Sequence, residues 1–341
     1  QQMNYLVFYK KNQRIIAIPM HGAFTVSINS INCWPSHTLK RKIFKLYMYC
    51  VTSISYFSKW KQDGRKDIFE NCINECFDLI HTHSNLDLYP VCIWSLVEGR
   101  RRYYIHALDV KGERKIFAKV STKKDDFPLL ENEKNCLSRL ALENQIRTPK
   151  VIKFKLTNDC CCLLTTYMDK GYSLYHPDSN SLPVGVLELI KGSIRVEQLG
   201  DVLASQWWAA VCKKFNKNLD LIKDVQSKAL TVKVKKSFVH GDFGSENIFQ
   251  NGEGGFYVID WERGDSNAPY LTDNIAYWLG KNHALIKSSP NSSLKKFDKA
   301  FQKYNDLDVT LGLLFLMNLN FDLAEILGAL PQNNNMNRDS L

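Results

Sequence analysis

Apolar and polar positions in the first part of the chain predict two strands followed by two helices. The strands are expected at residues 5–11 and 14–20, and a basic, aromatic-rich helix at 36–60. The apolar residues that recur at helical spacing on this helix are Leu39, Ile43, Leu46 and Cys50. Their spacing predicts a buried face. A second amphipathic helix is expected at 67–83, and the residues along its apolar face are Ile68, Cys72, Cys76 and Ile80.

From about residue 91 the pattern changes to short strands separated by turns. The expected strands are 91–97, 102–110, 114–122, 150–156 and 160–168, the last two paired as a hairpin. A helix at 127–144 is expected to turn Leu130, Leu137 and Leu140 inward. After Met168 most of the sequence predicts helices, apart from two short strands. The order is therefore a small sheet with one helix, followed by a larger and mainly helical part.

This organisation predicts an α+β protein with four regions. An N-terminal extension covers residues 1–90, a sheet-containing lobe 91–168, and a mainly helical lobe 169–330. The polar residues 331–341 form a tail that is expected to be mobile. Forty-five per cent of the chain is hydrophobic and 23% is charged, which is typical of a folded globular protein and argues against global disorder.

A formal net charge of +10 predicts a negatively charged partner. Much of the excess positive charge is concentrated in residues 39–45, 99–104 and 233–236. Charge alone leaves several partner classes open: nucleotides, nucleic acids, phosphorylated glycans and anionic membrane surfaces. No recognised nucleic-acid-binding motif accompanies the basic clusters, so the sequence favours a protein that does not bind nucleic acid.

The ten cysteines show no CxxC pair and no spacing typical of a zinc site. They are expected to be buried free thiols in a reducing compartment. The N-terminal residues contain no uninterrupted apolar stretch of the kind found in a signal peptide. No stretch reaches the roughly 18 apolar residues of a membrane span, and the nearest candidate, 310–330, is predicted to be a buried helix. The expected location is the cytoplasm.

The most informative stretch is "VHGDFGSENIF" at 239–249, followed by "YVIDWE" at 257–262. It contains an acid, Asp242, then an amide, Asn247, and then a second acid, Asp260, at the end of an apolar run. Mg²⁺ prefers carboxylate and amide oxygens, and an attacking hydroxyl must lose its proton to a base. The pattern therefore favours metal-assisted phosphoryl transfer, with Asp242 as the base and Asn247 and Asp260 as metal ligands.

The arrangement H-x-D-x-x-x-x-N is that of the kinase catalytic loop, with Gly241 in place of the arginine of most protein kinases. Together with "YVIDWERG" and "APYLTDNIAYWL" further along, it closely resembles the aminoglycoside phosphotransferase and choline kinase-like family. The resemblance covers residues 91 to about 285. It implies a bilobal, protein-kinase-like fold, in which His240 is a structural hydrogen-bonding group and the acid performs the base role.

Motifs before this loop extend the resemblance. Lys119, in "KIFAKV", lies where the family keeps its nucleotide-binding lysine, and Glu133 matches the helix glutamate that pairs with it. The stretch "CCLLTTYMDKGYSL" resembles the strand and hinge that hold the adenine, which makes Thr166 and Met168 candidate nucleotide contacts. Asp273 matches a family acid that supports the catalytic loop.

The phosphate-covering loop departs from the family pattern. The family loop is rich in glycine, whereas "SLVEGRRRYYI" contains only Gly99. The arginines 100–102 either contact phosphates by charge or form a solvated face. This departure supports an alternative function, a pseudokinase-type nucleotide-binding or scaffold module without turnover. The intact set of Lys119, Asp242, Asn247 and Asp260 opposes it.

The resemblance implies an enzyme that uses Mg²⁺ to move the γ-phosphate of ATP, or of GTP, to a hydroxyl of a small molecule or glycan. No "APE" element follows Asp260, which argues against a protein substrate. The family's range leaves antibiotics, choline, sugars, amino acids and lipid-linked glycans open as acceptors. The basic helix of the extension favours an acceptor at an anionic membrane face, such as an envelope-polysaccharide intermediate, and a peripheral position at the inner membrane.

Overall fold

Short extended segments in the first part of the chain pair into a single sheet in a computed structural model of the protein. The structure describes residues 4–10, 13–34, 39–58, 63–64, 69–84, 87–95, 102–142, 146–175, 182–214 and 220–319. By its internal contacts the chain divides into two units. The first comprises Gln1–Leu142 and Thr148–Lys170, and the second Glu143–Arg147 and Gly171–Leu341.

The sheet of the first unit has eight strands in the spatial order β3-β1-β2-β4-β5-β6-β8-β7. They are β1 (Asn4–Lys10), β2 (Gln13–Pro19), β3 (Asp63–Gly64), β4 (Tyr89–Trp94), β5 (Arg102–Leu108), β6 (Arg114–Ser121), β7 (Val151–Leu156) and β8 (Cys161–Thr166). All neighbouring strands are antiparallel. The described helices of this unit are α1 (Phe24–Ser30), α2 (Leu39–Ser58), α3 (Asn71–His83) and α4 (Phe127–Leu140). Strands of the predicted extension thus share one sheet with strands of 91–168.

Each face of this sheet has its own apolar core, because successive strand residues point to opposite sides. On β4, Cys92 belongs to a core that includes Ile73 of α3. Its neighbours Val91 and Ile93 belong to a second core that includes Met48 of α2. The sheet is therefore covered on both sides, which accounts for the continuous apolar runs in its strands.

The prediction for the buried face of α2 is wrong. The residues expected to be buried are exposed: Leu39, Ile43, Leu46 and Cys50. The opposite side of the helix, with Met48, Thr52 and Ser55, is buried instead. On that side Phe44 packs against Trp34, with ring centroids 5.7 Å apart. The helix has two apolar faces, and the one that includes Phe44 and Met48 is packed against the rest of the first unit.

Other packing predictions for the first unit are confirmed. Residues predicted and found to be buried are Cys72, Cys76 and Ile80 on α3 and Leu130, Leu137 and Leu140 on α4. Ile68, predicted for the same face of α3, lies outside the described residues. β7 and β8 form the expected antiparallel hairpin, and α4 packs against both strands. This packing fixes the position of α4 relative to the sheet.

The second unit is mainly helical. Its described helices are α5 (Val184–Gly192), α6 (Leu199–Leu203), α7 (Gln206–Lys214), α8 (Asp220–Ser227), α9 (Thr272–Ser288), α10 (Pro290–Phe301) and α11 (Asp306–Asn318). Its strands are β9 (Tyr172–Leu174), β10 (Arg195–Gln198), β11 (Lys233–Val239), β12 (Ile248–Asn251), β13 (Phe256–Val258) and β14 (Asp265–Pro269). These form two antiparallel sheets, ordered β10-β11-β14 and β13-β12-β9.

The helix α11 lies at the centre of this unit. Leu311 and all residues from Leu313 to Met317 are buried, so the helix is apolar on all sides, as expected of a core helix. It packs against α7, α9 and β14. Trp207 of α7 meets Phe315 edge-to-face, with ring centroids 5.3 Å apart. Trp207 and Trp208 are therefore core residues, and the predicted buried helix is confirmed over the described part of its range.

The predicted α+β fold, an antiparallel sheet followed by a larger and mainly helical part, is confirmed by these elements. The sequence patterns did not indicate β10, β12 or β14, because strands of four or five residues are too short to show a clear alternation. All ten cysteines are free and all except Cys50 are buried, as predicted. None of the helices in the described part of the chain combines the length and apolarity that a membrane span requires.

Candidate active site

The motif loop, residues 240–247, connects β11 to β12 in the second unit. The last residues of β11 are buried, so the loop starts inside the core of this unit. Gly241 has φ of 81°, and a Cβ atom at this position would lie 2.3 Å from the carbonyl oxygen of Arg263. Only glycine fits so close to another backbone segment. This contact explains why the loop has glycine where most protein kinases have arginine.

Asp273, near the start of α9, holds this loop through its backbone. One carboxylate oxygen accepts a hydrogen bond from the backbone N–H of His240 at 2.7 Å, and the other from that of Gly241 at 2.9 Å. The side chain is buried, and burial raises the pKa of Asp273 to about 7 against the opposing effect of these two hydrogen bonds. The predicted support of the loop by this acid is present in the structure.

His240 links the loop to the chain segment that carries the second acid. Its Nε2 atom donates to the carbonyl oxygen of Ile259 at 2.8 Å, and its Nδ1 atom accepts from the backbone N–H of Asp242 at 3.3 Å. The ring is fully buried and packs against Trp261, with centroids 4.6 Å apart. Both ring nitrogens thus have structural partners, which agrees with the expected structural role.

Asp242 is half-buried in an environment with charges of both signs. Burial is the largest influence and raises the pKa of its carboxyl group. Arg263 acts in the opposite direction, with Nε 4.0 Å from Oδ2 of Asp242. The carboxylates of Asp260, Glu246 and Glu262 raise the pKa further. A raised pKa makes a carboxylate a stronger proton acceptor, as a general base requires.

Asn247 and Asp260 lie beside the same loop. The side-chain Nδ2 of Asn247 donates to the backbone oxygen of Asp242 at 3.0 Å, so its amide oxygen is the atom suited to bind a cation. Its backbone oxygen accepts from the N–H of Ile259 at 3.0 Å, immediately before Asp260. The structure therefore brings Asp242, Asn247 and Asp260 together in the second unit.

Lys119 and Glu133 meet in the core of the first unit. Lys119 projects from β6 and Glu133 from α4, and the Nζ atom lies 2.9 and 2.7 Å from the two carboxylate oxygens. Both side chains are buried. A buried lysine with a bidentate partner has a fixed position, which is what binding a nucleotide phosphate requires.

Thr166 and Met168 lie at and just beyond the end of β8. The backbone N–H of Thr166 donates to the oxygen of Lys150 at 2.9 Å, and its hydroxyl accepts from the N–H of Lys150 at 3.0 Å. Met168 is half-buried. The hydroxyl of Thr166 is thus used within the first unit. Contact of either residue with a nucleotide stays a prediction.

The predicted phosphate-covering loop, with Gly99, Arg100 and Arg101, lies outside the described residues. Arg102 is described, and it is neither solvated nor part of a loop. It begins β5, is 2% exposed, and lies 3.4 Å from the carboxylate of Asp126. Arg102 therefore belongs to an internal ion pair of the first unit.

Two charged residues near Asp242 were not identified as site residues from the sequence. Arg263 approaches Asp242 across the fold, and it also donates to the backbone oxygen of Leu319 at 2.9 Å. Glu262 is 4% exposed, so it is buried rather than on the surface. Both lie within three positions of Asp260. Their positions beside Asp260 in the sequence indicate that both lie near the site, but not that Arg263 approaches Asp242.

No protein-family model matches the chain, and no curated protein sequence matches it. The solved structures with which the chain aligns include phosphotransferases. An aminoglycoside phosphotransferase from Streptomyces rimosus, in complex with ADP and streptomycin, aligns at 14% identity and a TM-score of 0.39, covering 74% of this chain and all of that one. A spectinomycin phosphotransferase, in complex with ADP and spectinomycin, aligns at 13% identity and a TM-score of 0.35, covering 73% of this chain and 98% of that one.

A third structure, an aminoglycoside phosphotransferase in complex with GDP and kanamycin, aligns at 14% identity and a TM-score of 0.38, covering 72% of this chain and 88% of that one. The resemblance expected from the motifs is thus found among solved structures as well.

Proposed function

We propose that this protein is a phosphotransferase that moves the γ-phosphate of ATP or GTP to a hydroxyl group of a small molecule or glycan. The observation that carries the proposal is the grouping of Asp242, Asn247 and Asp260 around a loop held by Asp273. Phosphoryl transfer needs a group that accepts the hydroxyl proton and groups that neutralise phosphate charge. This cluster contains both kinds of group.

Asp242 is the proposed general base. In the reaction its carboxylate orients the acceptor hydroxyl and takes its proton as the oxygen attacks the phosphorus. Its raised pKa favours this role, and Arg263 at 4.0 Å favours the ionised form that must be present before attack. His240 is an unsuitable base because its Nδ1 and Nε2 atoms are both occupied by backbone groups.

Asn247 and Asp260 are the proposed Mg²⁺ ligands. An amide oxygen and a carboxylate are hard oxygen donors of the kind that Mg²⁺ prefers, and Mg²⁺ is usually held by one or two protein carboxylates together with substrate phosphates. The donor set therefore fits the ion. When bound, the metal would neutralise negative charge on the phosphates.

Lys119 is the proposed nucleotide phosphate contact of the first unit. Its ammonium is positioned by Glu133 at 2.9 and 2.7 Å rather than by solvent. Thr166 and Met168 are the proposed contacts of the adenine or guanine base. The ten free cysteines support a reducing compartment, and we place the reaction in the cytoplasm, where nucleoside triphosphates are available.

A cavity of about 600 Å³ in the second unit supports an acceptor that carries negative charge. Its lining includes Lys296, Lys299 and Lys303 together with the partly exposed aromatic ring of Tyr304. Asn274, also in the lining, directly follows the acid that holds the motif loop. Lysines attract phosphate and carboxylate groups, and an aromatic ring offers a flat apolar surface to a sugar. A phosphorylated glycan, such as an envelope-polysaccharide intermediate, belongs to this class of acceptor.

Transfer of label from γ-labelled ATP and GTP tests the proposal. Three acceptor pools are compared in the presence of Mg²⁺: sugar phosphates and acidic glycans, neutral sugars, and amino sugars. We expect transfer to the acidic pool, its loss in Asp242→Asn, and its retention in Glu253→Gln, an exposed acid on the turn between β12 and β13. Nucleotide binding without transfer to any pool would overturn the proposal in favour of the pseudokinase alternative.

A further inference from the structure

The helix α2 exposes an unusual amount of apolar surface. Five of its large apolar side chains are more than half exposed: Leu39 (73%), Ile43 (61%), Leu46 (65%), Tyr47 (54%) and Ile54 (60%). At 3.6 residues per turn these residues and the exposed Cys50 share one arc of roughly 100° on the helix surface. We call this arc the outer face of α2. A contiguous apolar surface of this kind on a folded protein marks an interaction site.

The charges on α2 all have one sign. Between residues 39 and 58 there are four basic residues, at positions 40, 41, 42 and 45, and there is no aspartate or glutamate. Lys40 and Lys42 are exposed, and helical geometry puts them on opposite sides of the outer face. The helix therefore presents an apolar strip with positive charge on both edges of its N-terminal end.

The inner side of α2 fixes this orientation. Met48, Thr52 and Ser55 are buried, and Met48 belongs to an apolar core that includes strand residues of the sheet. The hydroxyl of Tyr49 donates to the side-chain oxygen of Asn32 at 2.8 Å, and that of Tyr56 donates to the backbone oxygen of Gly22 at 2.7 Å. Turning the outer face inward would break these contacts. The exposure of the apolar strip is thus built into the packing of the first unit.

We infer that α2 is an interfacial helix that binds the protein to an anionic lipid bilayer. Its outer face inserts among the lipid headgroups and upper acyl chains, while Lys40 and Lys42 contact lipid phosphates at the edges. A helix with an apolar face, basic flanks and no acid matches the composition of helices that lie in the membrane interface. It lies on the bilayer rather than crossing it, because its charged residues prevent a span.

Charge favours lipid over a second copy of this chain as the occupant. Pairing two outer faces in parallel would bring two sets of exposed lysines together, and like charges at short distance repel. An antiparallel pair would leave the lysines without negative partners on the other helix, because α2 contains no acid. An anionic membrane instead offers a continuous negative surface, to which each nearby basic residue is attracted. This inference is independent of the proposed phosphotransfer, which can be measured with soluble acceptors.

Vesicle co-sedimentation of the full chain tests the inference. Vesicles of phosphatidylcholine alone are compared with vesicles that also contain phosphatidylglycerol, at low and at high salt. We expect binding to the anionic vesicles only, and weaker binding at high salt because exposed charges are screened. The double variant Lys40→Gln with Lys42→Gln replaces both edge lysines. It should lower the partition coefficient about 25-fold, since each basic residue near the membrane surface raises that coefficient about fivefold.

A second variant tests the apolar strip. Ile43→Ser with Leu46→Ser changes two exposed residues, so folding should be retained, and binding should fall by about tenfold or more as apolar burial in the bilayer is lost. The matched controls are Leu142→Ser with Leu230→Ser, both highly exposed elsewhere, and Lys123→Gln with Lys124→Gln. These controls should bind like the unmodified protein.

Three results would overturn the inference. The unmodified protein could fail to bind anionic vesicles at low salt, or the variant with serine at positions 43 and 46 could bind as well as the unmodified protein. Alternatively, sedimentation velocity could reveal a dimer that this variant alone disrupts while vesicle binding is unchanged, in which case the outer face is an interface between two copies. Equal thermal unfolding midpoints of variants and controls exclude misfolding as the cause of a loss.

Discussion

Lys119 and Glu133 form an ion pair inside the first unit, with Nζ 2.9 Å from one carboxylate oxygen and 2.7 Å from the other. Only 8% of one side chain and 4% of the other is exposed. Removing two charges from water costs several kcal/mol per ion, and the attraction offsets this cost only while both partners are present. The pair therefore fixes the position of the ammonium more than it stabilises the fold.

Removing one partner should consequently destabilise the protein. Glu133→Gln leaves Lys119 charged and buried, and we expect the free energy of unfolding to fall by about 3–5 kcal/mol. Urea unfolding measures this change. Glu131→Gln is the matched control, because Glu131 lies on the same helix but is exposed, and its effect should stay within about 0.5 kcal/mol. Equal effects of the two substitutions would show that Glu133 has no special role.

Replacing both partners separates stability from function. Lys119→Met with Glu133→Leu removes both charges, and an apolar replacement of a buried pair is often neutral for stability. We expect this double variant to unfold near the midpoint of the unmodified protein while its affinity for ATP and GTP falls by about tenfold or more, the scale of one charged hydrogen bond. Isothermal titration with each nucleotide checks this. Unchanged affinity would remove Lys119 from the nucleotide site.

The grouping of the proposed site residues could be predicted from the sequence because the motif is local. His240, Asp242 and Asn247 lie within one loop, and their spacing alone indicates the reaction class. The packing of α2 could not be predicted in this way. Its sequence contains two apolar faces. Helical periodicity indicates that an apolar face is present, but it does not indicate which of two faces is buried. Which face is buried depends on the position of the Trp34 ring and of the strands that share its core, and these positions are determined by the tertiary fold.

Asp242→Asn should stop the reaction without affecting the fold. The amide has nearly the same shape as the carboxylate but cannot take a proton at neutral pH, and the loss of a general base typically costs about 10²–10⁴ in turnover. We expect nucleotide affinity to change little, because the metal ligands and Lys119 remain. Single-turnover transfer from γ-labelled nucleotide provides the measurement, with Glu253→Gln as the control. Full turnover by a pure preparation of the variant would exclude Asp242 as the base.

Asp273 should make stability depend on pH. Its pKa is about 7 in the folded protein, above the ordinary value of 3.8. As the pH rises, the unfolded chain therefore loses this proton at a lower pH than the folded protein does. Between these two values a rise in pH favours unfolding, by about 1.4 kcal/mol per pH unit from this group, and above about pH 7 the effect ends.

Urea unfolding of the unmodified protein and of Asp273→Asn between pH 4 and 9 isolates this contribution. We expect the difference in unfolding free energy, unmodified protein minus variant, to fall as the pH rises to about 7 and then to stay constant. A difference that is constant from pH 4 upward would mean that Asp273 is already ionised in the folded protein throughout this range. Its two backbone hydrogen bonds would then outweigh the effect of burial.

Some contacts of the site join residues that are far apart in the sequence, and these contacts could not be predicted from the sequence. Arg263 reaches Asp242 only because its own carbonyl passes close to Gly241. No local pattern encodes that approach, since it depends on how β11 and the segment after β13 are packed. The identity of Asp273 was indicated by the family resemblance, but its bidentate hold on two backbone amides became clear only from the structure.

Asp260 differs from the other residues of the cluster in its backbone. With φ of 66° and ψ of 52° it is left-handed, and in the described part of the chain no other residue except glycine has a positive φ. Aspartate and asparagine tolerate this conformation better than other side chains. A strained backbone at a candidate metal ligand fits a functional constraint. Asp260→Asn is therefore the informative substitution, because it removes the charge and keeps a residue suited to the backbone.

We expect Asp260→Asn to lose the Mg²⁺ dependence of nucleotide binding. The carboxylate is the only anionic ligand proposed for the ion, and an amide binds Mg²⁺ more weakly than a carboxylate does. Titrations of ATP with and without Mg²⁺ should give different affinities for the unmodified protein and equal affinities for the variant. Glu253→Gln, an exposed acid on the β12–β13 turn, serves as the control and should keep the dependence. If Asp260→Asn binds the Mg²⁺ complex as tightly as the unmodified protein, the metal ligand must be another residue, and the proposed arrangement of the site would have to be revised around it.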